Sequence, residues 1–163
     1  MSFLNLYVLI ILIIYLSAFF IQNIKTYFSI KQSIRGRSGR LTLSLGLSTI
    51  IYVLTFAQLV LSGLADYLGY IHLLDFQALH IFGAFLITIA TLIGLAALYE
   101  MKNSWRVGIK YDEKTELVTA GIYSISRNPY FLSYDILFAG ILLIFPSLVL
   151  LVLIIALMII FHF

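Results

Sequence analysis

Apolar residues along this chain fall into long blocks separated by shorter polar ones. The first block runs from Phe3 to Ile21, the second from Leu41 to Leu64, the third from Ala78 to Leu98, and the last from Tyr130 to Phe163. Blocks of roughly 17 to 24 residues cross a hydrocarbon core of about 30 Å when helical, at about 1.5 Å rise per residue. Helix is forced on them, because main-chain polar groups in lipid must be satisfied within the segment. The last block is too long for one span. It is interrupted at Phe145-Pro146-Ser147, where proline lacks an N–H and opposes helix continuation. Two helices of about 16 residues joined by a tight turn fit it better than one kinked helix. The fold class expected is all-α, a polytopic membrane helical bundle of about five transmembrane helices with a C-terminal helical hairpin.

The polar positions divide the chain further. Residues 1–163 read as a single membrane domain: three N-terminal helices within 1–99, a long polar loop over 100–129, and the hairpin over 130–163. All ten Lys and Arg lie in two stretches, Lys25, Lys31, Arg35, Arg37 and Arg40 after the first block, and Lys102, Arg106, Lys110, Lys114 and Arg127 after the third. The connection from Ala65 to Gln77 carries Asp66, His72 and Asp75 but no Lys or Arg. The positive-inside rule places both basic loops and the C-terminus in the cytoplasm and the N-terminus outside. No basic residue precedes Phe3 and no small-residue cleavage site follows the first block, so that block reads as a retained helix rather than a signal peptide.

Composition confirms the class and excludes others. Hydrophobic residues make up 63% of the chain and charged residues 10%, too little charge for a soluble domain. The formal charge of +3 reads as loop topology rather than affinity for nucleic acid, so no nucleic-acid partner is expected. Cysteine is absent, which excludes disulfides, thiolate metal sites and a cysteine nucleophile. His72, His80 and His162 are scattered, and no metal is expected. Phosphate-binding glycine loops and a serine elbow are also missing. Gln58 and Gln77 read as interhelical hydrogen-bonding groups. Ionisable residues inside spans are costly and therefore functional candidates, which singles out Asp135, although an anion near a helix N-terminus is also favoured by the dipole.

The segment from Tyr99 to Phe131 differs in kind, because it sets Trp105, Tyr111, Tyr123, Tyr130 and Phe131 among charges at the membrane face. Composition alone reads it as an interfacial loop with an aromatic belt. The order of residues points further. Ser104-Trp105-Arg106-Val107-Gly108-Ile109, then Glu116-Leu117-Val118-Thr119-Ala120-Gly121-Ile122-Tyr123, then Ser126-Arg127-Asn128-Pro129, resembles the isoprenylcysteine carboxyl methyltransferase family, which is grouped with the phospholipid methyltransferases. The resemblance covers about residues 101 to 163; the first hundred agree only in being hydrophobic helices.

That resemblance implies a membrane enzyme using S-adenosylmethionine, set in a bacterial inner membrane, with the lipid bilayer and a lipidic or prenylated substrate as partners. It implies cofactor contacts at Thr115, Glu116, Leu117, Val118, Gly121, Tyr123, Asn128, Pro129, Tyr130 and Phe131, and catalytic roles for Arg127 and Asn128. Thr115 and Asn128 stand where many relatives have histidine, and Phe131 where tyrosine is usual. In the family the hairpin leads into a cytoplasmic segment with paired glutamates, whereas this sequence stops at Phe161-His162-Phe163. The expectation is therefore a carboxylate O-methyltransferase shortened at its end, with a truncated or catalytically silent partner-binding module as the alternative. Methyl transfer from a sulfonium is an in-line displacement that needs positioning and water exclusion more than a triad. A carboxylate acceptor is already anionic and needs no base, whereas an amine must lose a proton.

Overall fold

The computed structural model describes residues 2–31, 39–61, 63–107 and 118–162. Its helices are α1 (Phe3–Ile30), α2 (Gly39–Val60), the single turn α3 (Leu64–Tyr67), α4 (Gln77–Met101), α5 (Pro129–Ile144) and α6 (Leu148–His162). Short 3-10 turns lie at His72–Leu74, Lys102–Ser104 and Gly121–Ser124. The chain is an all-α membrane helical bundle. Helices α1, α2 and α4 are each long and apolar enough to cross a bilayer, and α5 and α6 are shorter apolar helices. Large side chains such as Phe20, Ile81, Leu92 and Val152 are exposed all around it, as expected where lipid is the solvent.

Boundaries differ from the sequence reading: the second helix ends at Val60 rather than Leu64, and the first differs most. The first helix does not end at Ile21 but continues to Ile30, where Lys31 closes it in a left-handed conformation with φ 52°. The buried stripe Val8, Leu12, Tyr15 continues through Thr26 at helical spacing. After Ile21 that stripe turns polar instead of ending, and its Gln22 and Thr26 side chains are used by the next layer of structure.

The tightest pair is α4 with α5, running antiparallel. A Cβ on Gly83 would lie 2.8 Å from the Gly140 carbonyl, and a Cβ on Gly140 would lie 2.7 Å from Ile87 Cγ2. Backbones meet there, which is how helices associate where lipid removes the hydrophobic drive and packing takes over. Gly94 makes room for the Tyr15 ring in the same way. Helix α1 lies parallel to α4. Tyr7 donates to the Thr88 hydroxyl, which itself donates to the Ala84 carbonyl. About two turns further on, Tyr15 donates to Ser133 Oγ at 2.7 Å, since Ser133 spends its own proton on the Tyr130 carbonyl. Helix α2 packs on α6, and its Tyr52 ring lies 5.5 Å from Phe138 of α5.

The expected break at Phe145-Pro146-Ser147 is present, and α6 folds back until Phe161 stacks on Phe131 at 4.9 Å. Ser147 caps α6, with Oγ accepting from the Leu150 N–H at 3.4 Å. At about 1.5 Å per residue these helices span roughly 24 Å, less than a hydrocarbon core of about 30 Å. The turn is therefore not surrendered to lipid. The α2–α4 connection folds over it, with Ile71 N–H bonded to the Pro146 carbonyl (2.9 Å) and the Leu148 and Val149 N–H groups bonded to Gly69 (2.8 Å) and Leu68 (3.2 Å). Irregular backbone at membrane depth is tolerated when protein satisfies it in this way.

The helix directions put Lys25, Lys31, Arg40, Lys102, Arg106 and Arg127 at one end of the bundle and Asp66 and Asp75 at the other. Arg35, Arg37, Lys110 and Lys114 lie outside the described residues.

Candidate functional site

At the basic end, α4 hands the chain to the polar loop through a turn gripped by α1. Gln22 Nε2 donates to the Lys102 carbonyl at 2.7 Å, and Trp105 Nε1 donates to Asn23 Oδ1 at 2.6 Å. The Trp105 ring is buried in an aromatic cluster: Tyr130 lies edge-on at 4.9 Å and Phe19 edge-on at 6.1 Å, with Tyr15 stacked on Tyr130 at 6.0 Å. Ring pairs in such arrangements add to the burial of their area. The loop is thus seated by the first helix.

The loop re-enters the described structure at Val118 and forms the 3-10 turn Gly121–Ser124 against the C-terminal end of α4. The contact is specific. Ile122 N–H donates to Glu100 Oε2 at 2.8 Å, and Tyr123 OH reaches the Ala97 carbonyl at 3.5 Å. Gly121 has φ +59°, a left-handed conformation that calls for glycine, and a Cβ there would fall 1.9 Å from Glu100 Oε1 and displace the carboxylate. Partial burial, reinforced by the Glu100 charge, pushes the Tyr123 phenol up to about 12.

Three residues beyond Ser126, α5 begins with Pro129 at its first turn, where a missing N–H is harmless. Arg127 and Asn128 are exposed immediately before it, and Asn128 makes no side-chain cap bond. The site residues named from the sequence therefore separate into three groups. Gly121 and Tyr123 come together with Glu100 under the loop, with Val118 half-buried nearby in sequence. Arg127 and Asn128 face outward at the same end. Tyr130 and Phe131 part company: Tyr130 is only 6% exposed inside the aromatic cluster, whereas Phe131 is 37% exposed and stacked on Phe161. Thr115, Glu116 and Leu117 lie outside the described residues.

Glu100 was not singled out in the sequence. Its signal was available, because a carboxylate in the last turn of a helix opposes the dipole and is stabilised only if it finds donors. Asp135, half-buried on α5, has one carboxylate oxygen wholly enclosed. His80 sits at the opposite end of the bundle with Nε2 3.5 Å from Asp75 Oδ1. No group of three or more potential metal ligands occurs among the described residues.

A family model described as phospholipid methyltransferase matches residues 78–163. That range runs from the start of α4 to the end of the chain and takes in the α4–α5 pair, the loop and the hairpin. The chain belongs to the phospholipid methyltransferase family. Helices α1 and α2 lie outside the matched range, yet α1 supplies Gln22, Asn23 and Tyr15 to the family segment. No curated protein and no solved structure gave a significant match.

Proposed function

We propose that this membrane methyltransferase uses S-adenosylmethionine to methylate a lipidic or prenylated substrate, with carboxylate O-methylation as the reaction. The observation that carries the reading is the seating of the Gly121–Tyr123 turn on α4 beside the start of α5, within the range of the family match. The donor set fits the cofactor: exposed Arg127 and Asn128 suit its carboxylate, and the half-exposed Phe131 face suits an adenine ring or a sulfonium. The buried Tyr130 ring supports the wall from behind rather than offering a face.

When bound, S-adenosylmethionine supplies an electrophilic methyl group on sulfur. The chain's own part is to hold donor and acceptor in line and to keep water away. Val118, Gly121, Tyr123, Asn128 and Pro129 would hold the cofactor together with Thr115, Glu116 and Leu117. Arg127 would neutralise a carboxylate and Asn128 would orient it. The acceptor oxygen would take that methyl while the bond's electron pair stays on sulfur, and because the carboxylate is already anionic no residue of the chain would have to take a proton. The basic end would face the cytoplasm of a bacterial inner membrane, by the charge rule. A lipid-tailed acceptor would enter sideways between helices.

The family description favours a second acceptor, a phospholipid amine, which must also lose a proton. Titrating the purified protein in nanodiscs with S-adenosylmethionine tests the cofactor. Absence of binding at millimolar cofactor, in protein shown to be folded, overturns the enzyme reading and leaves a partner-binding module. Transfer of labelled methyl to a prenylated cysteine carboxylate would be base-labile, releasing methanol; transfer to phosphatidylethanolamine would be base-stable.

A further inference from the structure

We infer that Glu100 is a positioning residue of the methyl-donor site, holding the Gly121–Ser124 turn in its binding-competent shape from the end of α4. The inference rests on the proposed function for what the turn binds and on geometry for how it is held. Glu100 belongs to the helix and the turn to a loop 22 residues later, so the Glu100 Oε2 bond to the Ile122 N–H, at 2.8 Å, is a tertiary clamp rather than a local cap. Gly121 lets the carboxylate approach the turn, because a Cβ there would fall 1.9 Å from Oε1 and push it away. The second fastening is Tyr123, whose hydroxyl reaches the Ala97 carbonyl one helical turn before Glu100.

Both fastenings land on the last turns of α4, the helix most tightly joined to α5, and α5 starts where the loop ends. The loop is therefore referenced to the same rigid helix pair at its fastened turn and at its exit. A loop site built this way loses little order when ligand binds, which is the advantage of preorganisation. A carboxylate in the final turn of a helix is unfavourable for the helix by itself, and the clamp gives that placement a purpose.

The experiment compares the wild-type protein with E100A, E100Q and G121A in nanodiscs. Glutamine keeps a carbonyl acceptor for the Ile122 N–H and discards the charge. E100A should weaken S-adenosylmethionine binding about ten-fold or more, as loss of a hydrogen bond to a charged group does. It should raise KM for the cofactor while kcat at saturating cofactor stays within about three-fold. E100Q should recover most of the affinity. G121A should weaken binding in the wild-type background and do so less in the E100A background, since the clash with the carboxylate is then gone.

Equal affinity of E100A and wild type overturns the inference. So does an E100Q variant as weak as E100A, which would make the carboxylate a direct ligand contact instead. If the folded wild-type protein binds no cofactor, the proposed function falls. Hydrogen exchange at the Ile122 amide then decides the clamp separately: faster exchange in E100A and near-normal exchange in E100Q support it, and equal exchange in all three refutes it.

Discussion

The indole N–H of Trp105 donates to Asn23 Oδ1 at 2.6 Å, tying the polar loop to the first helix across 82 residues of sequence. Trp105 is the chain's one tryptophan, so tryptophan fluorescence reports on this seat of the loop. Asn23→Ala leaves a buried N–H without its acceptor and should cost about 1 to 3 kcal/mol. The expected signature is a red-shifted emission with a lower thermal midpoint. An unchanged spectrum and midpoint would show that the aromatic cluster alone seats the loop.

Where α4 and α5 touch, volume decides stability. Gly140→Ala places a methyl 2.7 Å from Ile87 Cγ2 and 2.8 Å from the Gly83 carbonyl, and overpacking of this kind costs about 1 to 3 kcal/mol. Gly46 on α2 has nothing within 4 Å of a built Cβ. There Gly→Ala should stabilise the helix by about 0.5 to 1 kcal/mol. Thermal unfolding in one detergent should move the two variants in opposite directions; matching shifts would refute the close crossing.

Leu148 stands in the first turn of α6, where proline is tolerated by a helix, and its N–H bonds to the Gly69 carbonyl at 2.8 Å. Leu148→Pro therefore removes one strut between the hairpin turn and the α2–α4 connection while keeping α6. Stability should fall by about 1 kcal/mol or more with circular dichroism unchanged. Faster hydrogen exchange at the Ile71 amide should accompany it. A variant as stable as wild type would mean that the connection does not brace the hairpin.

The Tyr123 phenol is held up at about 12 by burial and by the Glu100 charge, against 10.0 for the ordinary group. A proton held more tightly in the folded state contributes stability that is fully present below the unfolded value. That contribution is lost as pH rises from about 10 to about 12. The wild-type-minus-Y123F absorbance difference should show phenolate appearing near the top of that window. Over the same window the wild type should lose stability faster than Y123F. A difference spectrum titrating near 10 would place Tyr123 in solvent.

Much of the bundle was legible along the chain, since lipid imposes a one-dimensional rule. Apolar runs of sufficient length must be helices, so α2, α4 and the broken hairpin could be read from hydropathy and one proline. The same rule misplaced the end of α1. Gln22, Asn23 and Thr26 look like the start of a loop when judged by polarity, and only the presence of Lys102 and Trp105 opposite them explains why the helix continues.

For the site, local residue order pointed to the family segment and to the polar loop that precedes the hairpin. Order alone could not say which side chains face one another. Adjacent residues on a helix point about 100° apart, so Tyr130 and Phe131, neighbours in sequence, went to the core and to the α6 surface. Glu100 joined the turn at Ile122 through a contact that no spacing rule encodes, because it depends on how the loop folds back on α4. Sequence by itself determined the membrane class, which blocks are helical and the distribution of charge between loops. Tertiary structure decided which polar groups meet, because hydrogen bonds act over about 3 Å, a distance that position along the chain does not report.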